Sequence, residues 1–261
     1  MTLIRHEFRR GRISLAVWTI SIGILVAVCV FMFPEMKSEM EGVSEMFGSM
    51  GAFTEAFGMD RIDFGTFTGF YAIECGNILG IGGAFFAALC GVNALAREER
   101  EHTAEFLLTH PVSRRYIVSG KLCAMVVQVM ILNLAVLGCF ACSALIIGES
   151  FSWKEIGLLH LAYFLLQLEI AGICLGISAF LRHSGVGVGL GLAAILYFLN
   201  IVANISDNAQ FLRYITPFGY AEGADILTNG ALEMAYVLPG MLYGVLGAVI
   251  AYIQFSRKDI S

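Results

Sequence analysis

The chain has 261 residues, of which 58% are hydrophobic and 14% are charged, and its net charge at pH 7 is −5. A soluble domain carries about 25% charged residues, so this composition argues against a water-soluble globular protein and predicts a membrane protein. The acidic balance also argues against nucleic-acid binding, because proteins of that class carry basic surfaces. The seven cysteines lie in apolar stretches without the spacing of metal ligands. We interpret them as small apolar side chains and expect no metal site.

Six stretches are apolar and long enough to cross a bilayer as α-helices, for which about 20 residues suffice. They are residues 13–33, 67–95, 117–147, 156–181, 186–203 and 236–255, which we call spans 1 to 6. Pro34 is expected to end span 1. Span 2 would measure roughly 43 Å as a helix, so it must tilt, kink or protrude from the bilayer. The predicted fold is an all-α membrane protein with a single six-span domain over residues 1–261.

Basic residues precede span 1, as they do in a secretion signal. The apolar stretch that follows them is longer than the roughly 7–15 residues of a signal-peptide core, and no small-residue cleavage site comes after it. We therefore expect span 1 to be retained. Lysine and arginine also predict the orientation: 12 lie on the side of the termini and 4 on the opposite side. This bias places both termini in the cytoplasm of a cell-membrane protein.

The loops differ in length and character. On the predicted outer side, residues 34–66 alternate acidic residues with Met, Phe and Gly, which is typical of short amphipathic helices at a membrane interface. The other long outer segment, residues 204–235, is partly apolar and contains Thr-Pro-Phe-Gly at 216–219. On the cytoplasmic side, residues 96–116 form the only sizeable loop.

Polar side chains inside the spans are candidates for a translocation path. They are Glu74, Asn77, Asn133, Gln167 and Glu169. A charge at the centre of a spanning helix costs about 2.5–3.5 kcal/mol, so a buried carboxylate requires a partner. These groups either line the path or hold the bundle together through hydrogen bonds between helices. For Glu74, which is nearer the outer surface, a third interpretation is contact with lipid headgroups.

Glycines four residues apart indicate close contact between helices. Three such pairs occur in the spans: Gly172 with Gly176, Gly187 with Gly191, and Gly240 with Gly244. At the glycine-rich start of span 5, the pattern predicts either a packing seam or a flexible point, since glycine lowers helix propensity by about 1 kcal/mol. The partner helix can belong to this chain or to a second copy.

The cytoplasmic loop 96–116 has three parts. Residues 97–101 continue span 2 as a charged helix end, and the apolar run 106–108 requires either the membrane surface or a partner protein to bury it. Pro111 is expected to end this helix and Ser113 to cap the next one.

The pattern Thr-x-Glu-x-Leu-Leu-x-x-Pro-Val-Ser-Arg over residues 103–114 carries a resemblance to a known family. Placed between spans 2 and 3 of a six-span chain, with Glu99 before it and Lys121 after it, the pattern resembles permease subunits of the second class of ABC exporters. His102 stands where that family commonly has glycine. The resemblance covers essentially the whole chain.

In that family the loop forms a coupling helix that docks into a separate ATPase subunit. The resemblance implies that the contacting residues here are Glu98, Glu99, His102, Thr103, Glu105, Phe106, Leu107, Leu108, Pro111, Val112, Ser113 and Arg114. It also implies an interfacial helix over residues 1–12 and an outer re-entrant segment over 204–235.

The function implied is ATP-driven export of a hydrophobic or amphipathic substrate, such as a lipid, a peptide antibiotic or a drug. Two permeases, identical or related, would assemble in the lipid bilayer with two ATPase subunits that bind ATP and Mg²⁺. The chain has no phosphate-binding loop of its own, so we expect no catalytic residue, no cofactor and no enzymatic activity in it. The alternative is a membrane scaffold or sensor partner that transports nothing.

Overall fold

The computed structural model describes residues 2–38, 51–100, 113–181 and 185–257, and the regular structure in these ranges is helical. Among the described residues, six helices are long and apolar enough to cross a membrane. The predicted all-α, six-span fold is therefore confirmed. The predicted coupling helix between spans 2 and 3 falls mainly on residues 101–112, which lie outside the described ranges.

The spans extend beyond most of their predicted bounds. Span 1 is Thr2–Ser38, and span 2 consists of the α-helix Phe67–Phe70, the π-helix Tyr71–Cys75 and the α-helix Gly76–Arg100. Spans 3 to 6 are Arg114–Ile147, Trp153–Ser178, Val186–Ile205 and Met234–Arg257. The connections contain the short α-helices Ala52–Ala56 and Gly223–Asn229 and the 3₁₀ helices Asp207–Tyr214 and Pro217–Gly219.

Span 1 differs from the sequence-based expectation at both ends. The helix runs without interruption from Thr2, so the described residues of the expected interfacial helix 1–12 continue span 1 instead of forming a helix of their own. The start of span 1 is tied to span 3, because the Lys121 Nζ lies 3.2 Å from a Glu7 carboxylate oxygen.

The prediction that Pro34 ends span 1 is wrong, because the helix continues to Ser38. Proline removes one backbone hydrogen bond and crowds the carbonyl four residues before it, a local cost that a long helix can bear. The last turn is stabilised by its side chains instead. Ser38 Oγ donates to the carbonyl of Glu35 at 2.6 Å, and Lys37 Nζ lies 3.0 Å from a Glu149 carboxylate oxygen after span 3.

Local sequence signals explain where several helices begin. Thr66, Ser113 and Ser152 are N-caps whose hydroxyl oxygens accept from backbone N–H groups three residues later. Such a cap satisfies one of the unpaired N–H groups of a first helical turn. Span 4 therefore begins at Trp153, three residues before its predicted start.

Span 4 lies at the centre of the bundle. It packs chiefly against spans 2 and 6, while span 1 packs on span 3 and span 5 on span 2. The close approach of spans 4 and 6 depends on glycine: a Cβ on Gly172 would lie 2.9 Å from the carbonyl carbon of Gly244, and one on Gly176 would lie 2.7 Å from the Gly247 oxygen. Of the glycine pairs predicted in these two spans, Gly172 and Gly244 thus meet each other, whereas Gly240 lies against Glu169.

The bundle has two distinct ends. At the terminal end, the Glu7–Lys121 ion pair and a contact between Arg114 and the last residues of span 6 bring the starts of spans 1 and 3 to the end of span 6. At the far end, Lys37 and Glu149 join the ends of spans 1 and 3.

The connection between spans 5 and 6 turns back into the bundle from the far end. Phe218 and Tyr220 are buried, and Thr216 Oγ1 donates to the carbonyl of Leu196 in span 5 at 2.7 Å. This segment therefore contributes side chains to the interior.

Candidate functional site in the helical bundle

Most residues predicted to contact an ATPase lie outside the described part of the chain. These residues are His102, Thr103, Glu105, Phe106, Leu107, Leu108, Pro111 and Val112. Glu98 and Glu99 belong to the last turn of the helix that ends span 2. The structure thus describes the two helices that hold the loop rather than the loop itself.

The residues after the loop anchor its return to the bundle. Ser113 Oγ accepts from the Tyr116 N–H at 3.2 Å, which confirms the predicted helix cap. Arg114 Nη1 donates to the carbonyls of Phe255 at 3.2 Å and of Ser256 at 3.4 Å. The last carbonyls of a helix have no partner within that helix and attract positive charge. Arg114 therefore ties the start of span 3 to the end of span 6.

Two predicted path residues, Asn133 and Gln167, form a pair between spans 3 and 4. The Asn133 Nδ2 donates to the Gln167 Oε1 at 2.6 Å, and the Gln167 Nε2 donates to the carbonyl of Leu79 in span 2 at 3.4 Å. Both amides are buried. A Cβ on Gly83 would overlap the Gln167 side chain, so glycine makes room for this contact. The geometry supports the interpretation of these amides as interhelical bonds.

Glu169 occupies a different face of span 4. The Tyr220 hydroxyl donates to its Oε2 at 2.9 Å, while its Oε1 is buried and has no hydrogen-bond partner among the described residues. A Cβ on Gly240 of span 6 would overlap this carboxylate. Glu169 thus contacts both the returning segment and span 6, and it lies apart from the Asn133–Gln167 pair.

The remaining two path candidates lie on span 2. The Tyr197 hydroxyl of span 5 donates to the Asn77 Oδ1 at 3.4 Å. Glu74 is partly exposed and belongs to the π-helical segment Tyr71–Cys75, a distortion that often accompanies function. The five predicted path residues are therefore distributed over several places and do not form one cluster.

Comparison with known proteins identifies the family. The family model described as ABC-2 family transporter protein matches residues 1–260. This chain belongs to the ABC-2 transporter family. No curated protein matches its sequence. Membership implies an ABC transporter that works with an ATPase partner, and the six apolar helices are consistent with the permease subunit.

The far end of this ABC-2 protein carries an ionic cluster that sequence reasoning missed. Asp225 accepts a hydrogen bond from Arg61 through one carboxylate oxygen and from Arg213 at 2.8 Å through the other. Arg61 and Asp225 are 164 positions apart in sequence. The cluster binds the loop before span 2 to the segment between spans 5 and 6. Each of these charges looks like an ordinary solvated loop residue in the sequence.

Glu222 extends this arrangement to span 5. Its Oε2 accepts from the side-chain amides of Asn200 and Asn204, both at 3.0 Å. The carboxylate lies in the returning segment, whereas both amides lie on one face of span 5, four residues apart. Span 5 is thus held to the far-end segment by polar contacts as well as by packing.

His160 of span 4 pairs with Tyr71 of span 2. The Tyr71 hydroxyl and His160 Nε2 are 2.7 Å apart, and both side chains are buried. The described residues contain no group of three or more side chains that could hold a metal ion. His160 acts here as a hydrogen-bonding partner between spans 2 and 4.

Proposed function

We propose that this ABC-2 protein is the permease subunit of an ATP-driven exporter. It moves a hydrophobic or amphipathic substrate, such as a lipid, a peptide antibiotic or a drug, out of the cytoplasm. A separate ATPase subunit binds ATP and Mg²⁺, so this chain is not an enzyme by itself and holds no cofactor. The proposed assembly in the cell membrane contains two ATPases and a second permease, with both termini of each permease in the cytoplasm.

The main support for coupling is the way in which the bundle holds the loop 101–112. Span 2 runs as one helical rod from Phe67 to Arg100, where the loop begins. Three of its glycines, at positions 76, 83 and 91, lie so close to span 4 that a Cβ on any of them would overlap it. Such tight packing makes spans 2 and 4 a single mechanical unit, because packed cores transmit displacement rather than absorb it.

The other side of the loop is anchored as well. Span 3 begins at the Ser113 cap, and the Arg114 guanidinium holds the end of span 6. A displacement of the loop by an ATPase would therefore reach spans 2, 3, 4 and 6. If the bundle switches between two states by rigid-body movement, its helices must be linked to the loop in this way.

The substrate class is supported by the balance of polar and apolar side chains. Three buried polar side chains of spans 3 and 4 make hydrogen bonds within the chain: Asn133 and Gln167 with each other, and one carboxylate oxygen of Glu169 with Tyr220. The exposed surface of span 5 is apolar, with Ile195, Phe198 and Val202 all at least 48% exposed. Surfaces of this kind suit a cargo that is largely apolar.

The decisive experiment is coexpression with a candidate ABC ATPase subunit from the same genome, followed by copurification and ATP hydrolysis in proteoliposomes. We expect Leu107→Asp to reduce both ATPase binding and permease-dependent hydrolysis about tenfold or more, because it places a charge in the apolar run 106–108. Thr109→Asp is the matched control, since it adds the same charge to the same loop outside the implied contact set. A Leu107→Asp complex with wild-type hydrolysis would contradict the proposal.

A further inference from the structure

Spans 4 and 6 form an apolar groove of about 410 Å³ in the half of the bundle nearer the terminal end. The described residues that line it carry no charge. Phe180 and Ile250 in its lining are 59% and 44% exposed, so the groove opens toward the surroundings that a bilayer would occupy. Its volume is within the range of roughly 300–1,000 Å³ that is usual for small-molecule sites.

A carboxylate lies at the inner end of this groove. On span 4, Glu169 comes four residues before Ile173 and seven before Gly176, a spacing that places all three on one face of the helix. On span 6, Gly240 and Gly247 share a face in the same way, and a Cβ on Gly240 would overlap the Glu169 carboxylate. Ile173, Gly176 and Gly247 line the groove. Glu169 therefore lies on the line of the groove, one helical turn beyond Ile173.

This carboxylate has no positive partner in the described part of the chain. Glu169 is fully buried, and the Tyr220 hydroxyl that donates to its Oε2 is neutral. Its Oε1 has no hydrogen-bond partner among the described residues, and none of the ion pairs that these residues form includes Glu169. A carboxylate inside a spanning helix requires a partner, and a cation that also donates a hydrogen bond is the strongest kind.

An apolar groove that leads to an unpaired carboxylate is complementary to a molecule with an apolar tail and a cationic head. We propose that this site binds a cationic amphiphile, with the alkyl chain in the groove and the ammonium group beside Glu169 Oε1. Because Oε1 is buried, the Glu169 side chain turns toward the groove to meet the ammonium. The inference rests on the transport function proposed above and deepens it, since it assigns a positive charge to the cargo.

The test is calorimetric titration of the purified full-length chain in nanodiscs of zwitterionic lipid, with empty nanodiscs as the blank for partitioning. The probes at neutral pH are octylammonium, octanol and ethylammonium. Octanol has a similar chain without the charge, and ethylammonium has the charge without the long chain. We expect octylammonium to bind about tenfold more tightly than either of them, because it alone satisfies both parts of the site.

The first variant removes the charge at the end of the groove. Glu169→Gln keeps the size of the side chain and an oxygen that can accept from Tyr220. We expect it to weaken octylammonium binding about tenfold, the effect of losing one charge-assisted contact, and to leave octanol binding unchanged. Glu155→Gln is the matched control, because Glu155 lies in the first turn of the same span and does not line the groove. Wild-type affinity of Glu169→Gln for octylammonium would overturn the proposal.

A second variant tests the groove and protects the result against misfolding of Glu169→Gln. Phe180→Ala removes an exposed wall of the groove and leaves every charge in place. We expect it to weaken octylammonium and octanol equally, about fivefold, through the lost apolar contact. Its Tm should stay within about 2 °C of wild type, as for other exposed positions. Phe31→Ala in span 1 is the control, because Phe31 is 46% exposed and lies outside the groove. Equal losses in the two phenylalanine variants would overturn the proposed position of the alkyl chain.

The remaining outcomes also decide. Octanol that binds as tightly as octylammonium would overturn the cationic head. Ethylammonium that binds as tightly as octylammonium would show a site for a free small cation and overturn the amphiphile. Because these titrations contain no ATPase, their failure leaves the coupling experiment with Leu107→Asp unaffected, and failure of coupling leaves the titrations unaffected.

Discussion

Spans 4 and 5 are similar as sequences and different as parts of the structure. Both are apolar helices that contain a glycine pair with a spacing of four residues. The most apolar stretch of 18 residues has a mean hydropathy of 1.8 in span 4 and 2.2 in span 5. Yet 67% of that stretch is buried in span 4 and only 28% in span 5. Apolar length therefore identifies a spanning helix and says little about what the helix packs against.

The glycines show the difference most directly. A Cβ on Gly172 or Gly176 of span 4 would meet the backbone of span 6. A Cβ on Gly187 or Gly191 of span 5 would meet none of the described residues within 4 Å. The same small-residue spacing is thus a packing seam in one helix and open surface in the other, which leaves span 5 free to contact lipid or a second copy.

The largest expected effect comes from filling the seam between spans 4 and 6. Gly172→Leu forces a side chain against the carbonyl group of Gly244, and a backbone group cannot turn aside as a side chain can. We expect a loss of about 3 kcal/mol in the free energy of unfolding, at the upper end of overpacking effects. In thermal denaturation this corresponds to a fall in Tm of roughly 6 °C or more.

The matched control for this change is Gly187→Leu in span 5. The same residue type is replaced by the same larger one, but at a site with open space around it. We expect its Tm to remain within about 2 °C of wild type. Equal destabilisation by the two variants would show that the contrast between spans 4 and 5 is wrong.

A smaller effect is expected from the amide pair that ties span 4 to span 3. Asn133 Nδ2 donates both to the carbonyl of Val129 and to Gln167. Gln167→Leu removes the second of these bonds and should cost about 1 kcal/mol, the order of a hydrogen bond within a membrane bundle. The double variant Asn133→Leu with Gln167→Leu should lose less than the sum of the two single variants. A double-mutant cycle in denaturation experiments measures this coupling. Strict additivity would mean that the contact does not stabilise the bundle.

The smallest expected change in stability, and the only one that can be a gain, concerns the face of span 5 that carries Gly187 and Gly191. Gly187→Ala improves helix propensity without any collision, so we expect unchanged stability or a gain of up to about 1 kcal/mol. Thermal denaturation and the molar mass in detergent are measured together. A loss of stability accompanied by a smaller molar mass would instead place a second copy of the chain against this face.

Much of the architecture could be predicted from the sequence because its causes are local. Six apolar stretches of sufficient length indicate six helices, and Ser113 next to a helical sequence indicates a cap. Pro34 shows the limit of a local rule. Proline removes one hydrogen bond and crowds the carbonyl four residues before it, but both effects are confined to one turn of the helix. The side-chain contacts of Lys37 and Ser38 stabilise the turn that follows Pro34.

The candidate site was less predictable, because its contacts join residues that are far apart in sequence. Glu169 was recognised as a buried carboxylate that requires a partner, but nothing near it indicated Tyr220, 51 positions away. The link of Asp225 to Arg61 was missed entirely, since an acid and an arginine in two loops look the same whether they are solvated or paired.

The sequence alone determined that this chain is an all-helical, six-span protein with the loop pattern of an ABC-2 transporter. Hydropathy, capping residues and motif spacing act within one segment and can be seen without a fold. The tertiary structure alone decided which glycines meet, which polar groups pair and where an apolar groove remains open. These properties depend on how distant helices are positioned against one another, and burial makes each polar pair depend on a partner that only this arrangement supplies.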